Sequence, residues 1–172
     1  MKILVAYASW AGSTAEVAEA IGAALRDENL EVDVLDAANV KDMNAYQAVV
    51  VGGAVRVGKL HKAMPGLVNR FAHQLAGMPV AYFVVCGTMN EETPENCKAA
   101  RGFLDGLLRR HAAIQPFEIG LFAGKFSMKN IGFPLNFFMQ KANIPEEDKR
   151  DWQKINAWAA ALKNRLIASN KV

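Results

Sequence analysis

The stretch that decides the fold lies near the amino terminus and reads Ile3-Leu4-Val5-Ala6-Tyr7-Ala8-Ser9-Trp10-Ala11-Gly12-Ser13-Thr14. Its first half is almost continuously apolar, as expected for a β-strand that is buried on both faces. Its second half contains three hydroxyl side chains and a glycine, and a helix-period pattern begins directly after it. The stretch therefore predicts a central strand, a tight polar loop and a helix in that order.

Further strands of two kinds follow along the chain. Residues 48–53 and 80–86 are also almost continuously apolar, whereas residues 31–36 partly alternate between apolar and polar. Residues 114–122 contain Pro116, which a central strand would not tolerate. With the strands counted in chain order, the first, third and fourth are therefore central and the second and fifth are edges. This assignment fits the strand order 2-1-3-4-5.

Amphipathic helix patterns separate these strands and predict a three-layer α/β sandwich around a five-stranded parallel sheet. A single domain over residues 1–172 accommodates all the elements. Residues 124–147 are too long for a plain connection, so we predict an insertion there, between the last strand and the last helix. The helical faces consist of Val17, Ile21, Ala24 and Leu25; Met64, Leu67, Val68, Phe71 and Leu75; Cys97, Ala100, Leu104, Leu107 and Leu108; and Trp152, Ile155, Ala159, Leu162 and Leu166.

The composition argues against several classes of protein. A hydrophobic content of 52% with 22% charged residues is that of an ordinary globular domain. The sequence shows neither a signal-peptide pattern nor an apolar stretch of roughly 18 to 20 residues that would span a bilayer, so we predict a cytoplasmic location. The net charge of +3 is spread along the chain and does not argue for nucleic acid. Because His61, His73 and His111 are scattered, no metal site is predicted.

The polar loop after the first strand has the chemistry of a phosphate site. In the predicted strand order a ligand crevice lies between the first and third strands, whose chains continue to opposite faces of the sheet. Ser9, Ser13 and Thr14 supply hydroxyls, Gly12 supplies flexibility, and the helix start supplies free N–H groups and a favourable dipole. The alternative is that serine and glycine merely cap the helix and turn the chain into it.

These residues and several further motifs resemble the flavodoxin superfamily, and within it the single-domain, quinone-linked protoporphyrinogen oxidases and their relatives. The resemblance implies a flavodoxin-like fold that binds FMN at the crevice between the first and third strands. The motifs that carry it are Tyr7-Ala8-Ser9 with Gly12-Ser13-Thr14; Gly53 with Arg56, Gly58, Lys59 and His61; Thr93-Pro94; Phe122-Ala123-Gly124; and Asp151-Trp152 with Ala157. The cofactor-binding residues that it implies are Ser9, Trp10, Ala11, Gly12, Ser13 and Thr14 at the phosphate, and Ala54, Val55, Arg56, Val57, Gly58, Gly87, Thr88, Met89 and Asn90 beside the isoalloxazine.

Two hypotheses about function follow from the resemblance. As an enzyme, the protein would pass electrons from a porphyrinogen substrate through FMN to a quinone. As an electron carrier, it would serve a redox partner protein. Arg56 and Lys59 beside the ring, together with His61, would favour reduced flavin and therefore an oxidase, unless their side chains point to solvent. The sequence reveals no catalytic acid or base, which keeps the carrier hypothesis open.

The insertion bears on the choice of partner. Residues 124–144 hold three lysines and no acid. Cations and aromatics at this density are typical of a peripheral contact with the inner face of a membrane, or of a groove for an apolar molecule that bears acids. A lid that packs on the domain is the alternative. The apolar residues of this segment are Phe126, Met128, Ile131, Phe133, Leu135, Phe137, Phe138 and Met139.

Overall fold

The protein is built around a parallel sheet with helices on both faces. A computed structural model describes residues 1–126 and 147–169, so most of the predicted insertion lies outside the described residues. The strands are β1 (Lys2–Ala8), β2 (Glu31–Asp36), β3 (Ala48–Arg56), β4 (Lys59–Leu60), β5 (Val80–Val85), β6 (Glu118–Phe122), β7 (Lys125–Phe126) and β8 (Glu147–Asp148). The helices are α1 (Ser13–Leu25), α2 (Ala63–Arg70), α3 (Ala72–Ala76), α4 (Pro94–Gly102), α5 (Asp105–Arg110) and α6 (Trp152–Ser169), with a 3₁₀ turn at Gly87–Asn90.

The strand order of the main sheet is β2-β1-β3-β5-β6, with all neighbours in this path parallel. Since β5 and β6 correspond to the fourth and fifth predicted strands, the predicted order 2-1-3-4-5 is confirmed. The apolar runs are central because they are covered on both faces: every residue of β5 is buried. In β1, Val5 lies in register with Val34 on one side and with Val50 on the other.

Successive residues of each strand face opposite sides of the sheet and join two separate hydrophobic cores. Leu4 and Val49 belong to the core that α2 to α5 cover. Ile3 and Val50 belong to the other core, which α1 and α6 cover. This arrangement gives the predicted three layers.

The element boundaries differ from the predicted ones in two ways. The last strand of the sheet begins at Glu118 instead of residue 114, so Pro116 precedes it. The second and third predicted helices are each divided, the second at Phe71 and the third after Gly102. At the second division, Phe103 N–H and Leu104 N–H donate to carbonyls three residues earlier, so the helix tightens into a 3₁₀-like turn there.

A β-hairpin replaces the loop that the sequence predicted after the third strand. β3 continues to Arg56 and folds back as β4, with Val55 opposite Leu60 and Arg56 opposite Lys59 in an antiparallel pair. A second antiparallel pair, β7 with β8, joins the two ends of the insertion. Within residues 1–126 and 147–169, no helix is long and apolar enough to span a membrane.

Candidate functional site

The loop between β1 and α1 lies at the carboxyl edge of the sheet. β1 and β3 are neighbours, but their chains continue into helices on opposite faces, α1 and α2. This divergence makes the loop the switch point of a doubly wound sheet, which is where ligands bind in such folds.

The backbone of this loop leaves the start of α1 open. Gly12 is the N-cap residue, and its φ of 87° is a left-handed conformation that favours glycine. The first helical hydrogen bond runs from Glu16 N–H to Gly12 O at 3.0 Å, so the N–H groups of the three intervening residues have no acceptor within the helix. No side-chain hydrogen bond caps this end of the helix, and Gly12 in the cap position turns the chain into it, so the turning role of the alternative and open N–H groups are present together.

The hydroxyl groups of Ser9 and Ser13 can each donate a hydrogen bond. Ser9 Oγ accepts from Gly12 N–H at 3.0 Å, and Ser13 Oγ accepts from Lys125 N–H at 3.0 Å. A hydroxyl that accepts a hydrogen bond still has its own proton to donate. Thr14 is only 1% exposed, so the protein encloses this residue and its hydroxyl is less accessible than those of the serines.

The loop fits a phosphate monoester such as that of FMN. An anion there would meet free N–H groups and the positive end of the helix dipole, together with the hydroxyls of Ser9 and Ser13. A Cβ built on Gly12 would meet no atom within 4 Å, so the surface above the helix start is open. Because residues 9–14 contain no Lys or Arg, neutral donors and the dipole would hold the charge.

The loop contacts the segment that follows the hairpin. The ring centroids of Trp10 and His61 are 4.5 Å apart, with the planes tilted by 58°. His61 Nδ1 accepts from Ala63 N–H at 3.2 Å, so the proton of the neutral ring is on Nε2. Burial lowers the pKa of His61 below its ordinary value. The lower pKa favours the neutral ring, which carries no positive charge.

The residues predicted to lie beside the isoalloxazine fall into two groups. Ala54 and Val55 are half-buried, whereas the next residues, Arg56, Val57 and Gly58, are exposed at the end of the hairpin. Lys59 is exposed as well. The cations are thus on the solvent side of the hairpin, where screening weakens any effect on a ring at the switch point.

The third predicted loop is the 3₁₀ turn after β5. Gly87 and Asn90 are exposed and Thr88 is half-buried, but the side chain of Met89 is buried in the hydrophobic core. Only the backbone of Met89 is therefore free to face a ligand. Burial also raises the pKa of the neighbouring Cys86 thiol, which makes this cysteine a poor nucleophile.

A cluster that sequence reasoning missed anchors the ends of the insertion beside the loop between β1 and α1. The Arg150 side chain is only 4% exposed and donates to Asp148 Oδ1 at 2.8 Å, Asp148 Oδ2 at 2.6 Å and Glu16 Oε2 at 2.6 Å. Glu16 lies in the first turn of α1, and Lys149 N–H donates to Gly124 O at 3.2 Å. No local signal in the sequence predicts these contacts, since Arg150 and Glu16 are 134 residues apart.

The Arg150–Asp148 ion pair is expected to stabilise the folded protein at neutral pH and to lose this effect in acid. The hydrogen bonds from Arg150 lower the pKa of Asp148 to about 2. Because the folded-state pKa is lower than that of the unfolded chain, the pair stabilises the fold above about pH 4. This stabilisation is lost as the pH falls toward 2. Urea unfolding of wild type and Asp148→Asn from pH 5 to pH 2 should show a steeper loss in wild type.

Asp105→Asn is the control for this experiment, because Asp105 is an exposed carboxylate with no ion pair among the described residues. It should leave the pH dependence of wild type intact. Parallel pH profiles for wild type and Asp148→Asn would show that the Arg150 pair does not contribute to stability.

The geometry at the switch point defines a doubly wound α/β protein of the kind that binds phosphate-bearing ligands at its carboxyl edge. Residues 4–153 match the flavodoxin domain family, and the chain belongs to this family. The resemblance to flavodoxins is thereby confirmed, and the family indicates a flavin as the cofactor.

Individual proteins similar to this chain fall into two groups. A protoporphyrinogen IX dehydrogenase [quinone] of Escherichia coli strain K12 is 28% identical, over 60% of this chain and 60% of the length of that protein. A protein of the same name from Leishmania major is 28% identical over 92% of this chain and 71% of that protein. Among solved structures, a flavodoxin from the domain Archaea aligns with a TM-score of 0.59 at 18% identity, over 96% of this chain and 98% of that one, which shows the shared fold.

Proposed function

We propose that this protein is an FMN-dependent oxidoreductase that takes electrons from a porphyrinogen substrate and passes them to a quinone. The observation that supports FMN as the cofactor is the start of α1 at the switch point, where no side chain caps the free N–H groups and where Ser9 and Ser13 lie close by. Support for the substrate and acceptor comes from the two protoporphyrinogen IX dehydrogenases [quinone] that share 28% identity with this chain.

The residue roles follow from the geometry of the loop. Ser9, Ser13 and the first N–H groups of α1 would hold the phosphate. Residues 54–58 and 87–90 would flank the isoalloxazine, and the contact between Trp10 of the β1–α1 loop and His61 after the hairpin would hold the two segments together. Bound FMN would supply the capacity to accept two electrons from one substrate and deliver them to another. The protein would position the ring and set the charge around it.

The charge beside the proposed flavin site is carried by two exposed cations. Classical electron-carrier flavodoxins are acidic around the flavin, whereas this chain has Arg56 and Lys59 at the hairpin and no acid between residues 43 and 90. Cations near the ring favour its reduced form, although the solvent exposure of these two side chains makes the effect modest. Exposed cations do not distinguish the enzyme from the carrier, so the support for the enzyme is the similarity to the two protoporphyrinogen IX dehydrogenases [quinone].

Anaerobic reduction tests the proposed activity. Protein loaded with FMN should lose its flavin absorbance when protoporphyrinogen is added and regain it when a menaquinone analogue follows. Protein without FMN, under the same conditions, is the control. Reduction by a flavodoxin reductase but not by protoporphyrinogen would instead assign the protein to the electron carriers.

We also propose that the insertion, residues 124–147, contacts the substrate or the membrane. β7 and β8 pair with each other at the two ends of the insertion. Lys125 N–H in β7 donates to the hydroxyl of Ser13, so the insertion begins next to Ser13. Residues 127–146 lie outside the described residues, so the apolar stretch from Phe133 to Met139 keeps its role as a prediction from the sequence. A cytoplasmic protein held at the inner face of the membrane would meet a quinone there.

A further inference from the structure

The loop at residues 9–14 contains no cation, but the fold brings Lys125 to it from the start of the insertion. Lys125 is the first residue of β7. Its N–H donates to Ser13 Oγ at 3.0 Å, and Ser13 is one of the two serines proposed to hold the phosphate. A Cβ built on the preceding residue, Gly124, would lie 3.8 Å from the same oxygen. The backbone at Lys125 is therefore in contact with a side chain that would bind the phosphate.

Two further contacts fix the position of Lys125 beside α1. Lys125 lies opposite Asp148 in the antiparallel pair of β7 with β8. Arg150 donates to Asp148 and also to Glu16 in the first turn of α1. The strand that carries Lys125 is thus tied to the start of α1 through its pairing partner as well as through Ser13.

The acids beside the start of α1 would repel a phosphate if no further cation were near. Glu16 and Asp148 share a single cation, Arg150, and two carboxylates with one guanidinium leave a net charge of −1. The Arg150 side chain is only 4% exposed, so little of it is accessible to a ligand. A phosphate monoester is close to a dianion at neutral pH and would be repelled by this excess.

Lys125 supplies the charge that offsets this excess. Its side chain is exposed, and it takes part in none of the ion pairs of residues 1–126 and 147–169. Both carboxylate oxygens of Asp148 already accept from Arg150. Hydrogen bonds from Arg150 are the main reason why the pKa of Asp148 is low, and the charge of Lys125 lowers it further, which places this charge close to the cluster.

We propose that Lys125 is the cation of the FMN phosphate site and strengthens the preference of this site for the flavin that bears a phosphate. The inference rests on the proposed role of FMN as the cofactor. The flexible four-carbon stem of lysine lets the ammonium reach a phosphate at Ser13. Because Ser13 Oγ accepts from the N–H of Lys125, the hydroxyl proton of Ser13 is left to donate to the phosphate. One residue of the insertion therefore contributes a charge and orients a donor.

Titration of the apoprotein with FMN and with riboflavin, followed by fluorescence, tests the proposal. Lys125→Gln keeps the backbone N–H that bonds to Ser13 and removes the charge. FMN affinity should fall about fivefold, which is the contribution of a strong ion pair at a protein surface. Riboflavin affinity should hardly change, because riboflavin has no phosphate. Lys125→Arg should keep the preference of wild type for FMN, since it keeps the charge.

Glu16→Gln should act in the opposite direction. Glutamine still accepts a hydrogen bond from Arg150 but lacks the carboxylate charge, so the negative excess beside the start of α1 disappears. FMN affinity should rise about fivefold, again without a change for riboflavin. Raising the salt concentration from about 0.05 M to about 0.5 M should weaken FMN binding more in wild type than in Lys125→Gln, because salt screens the attraction that the variant lacks.

Lys98→Gln is the matched control. Lys98 is an exposed lysine of α4, on the face of the sheet opposite to α1, and it has no ion pair among the described residues. This variant changes the charge by the same amount as Lys125→Gln and should leave the affinity for both flavins as in wild type.

Three outcomes would overturn the proposal: equal effects of Lys98→Gln and Lys125→Gln, equal losses of FMN and riboflavin in Lys125→Gln, or a lost preference for FMN in Lys125→Arg. If Ser13→Ala weakened FMN selectively and Lys125→Gln did not, the phosphate site would stand and the role of Lys125 would be wrong. The titrations need no substrate, so they are independent of whether protoporphyrinogen reduces the flavin.

Discussion

Gly52→Ala is expected to lower the free energy of unfolding by about 3 kcal/mol, through overpacking of the core. Gly52 lies in β3 directly opposite Phe83 of β5. A Cβ at this position would be 1.9 Å from Phe83 Cζ and 2.2 Å from both Cε atoms. The ring cannot easily move away, because it is fully buried and packs against Phe122 and Trp158, with centroids 6.3 Å away in each case. Urea denaturation measures the loss.

Gly66→Ala is the matched control for this substitution. Gly66 is an exposed residue of α2, and a Cβ there would meet no atom within 4 Å. Since alanine favours the helix over glycine by about 1 kcal/mol, this variant should be as stable as wild type or more stable. Phe83→Leu added to Gly52→Ala should recover part of the lost stability, because the clash depends on the ring. Equal stability of the two alanine variants would contradict the packing argument.

Ser13→Ala is expected to weaken FMN binding about tenfold to 100-fold, and Ser9→Ala should do the same. A hydrogen bond to a charged group contributes about 1.5 to 3 kcal/mol, which corresponds to that range of affinity. Riboflavin has the same ring without the phosphate, so its affinity should change much less. Titration of the apoprotein with both flavins, followed by fluorescence, measures the difference.

Thr88→Val is the contrasting variant for the phosphate prediction. Thr88 lies in the 3₁₀ turn after β5, on the side proposed for the ring. Any loss of affinity there should be the same for FMN and riboflavin, because the two flavins share the ring. If Ser9→Ala and Ser13→Ala also weakened both flavins equally, the phosphate would have to bind elsewhere.

The sequence predicted the central strands correctly because burial on both faces requires a continuous run of apolar residues. A strand with helices on both of its faces must be apolar at every position, and residues 3–8, 48–53 and 80–86 show this directly. An edge strand tolerates alternation or a nearby proline, which identified β2 and β6. From these two classes of strand the order followed, and with it the position of the switch point.

The hairpin was not predicted because its turn carries no local signal. The usual signature is Asn-Gly or Asp-Gly, and here Val57 precedes Gly58 instead. The segment after β3 therefore resembled a loop in the sequence. The burial of Met89 was missed for a related reason, since one residue in a short turn shows no periodicity from which its direction could be inferred.

By itself, the sequence determined the layers, the strand order and the loop that provides the candidate phosphate site, because each depends on residue types within a few positions of one another. Only the tertiary structure decided how that loop is held. Ser13 meets Lys125 and Glu16 meets Arg150 across more than 100 residues of chain, and such contacts leave no periodic or local pattern. Only the structure shows that Arg56, Val57 and Lys59 are exposed at the end of the β3–β4 hairpin and that Val57 has a left-handed backbone conformation. The exposure of a side chain depends on which surfaces the rest of the fold covers.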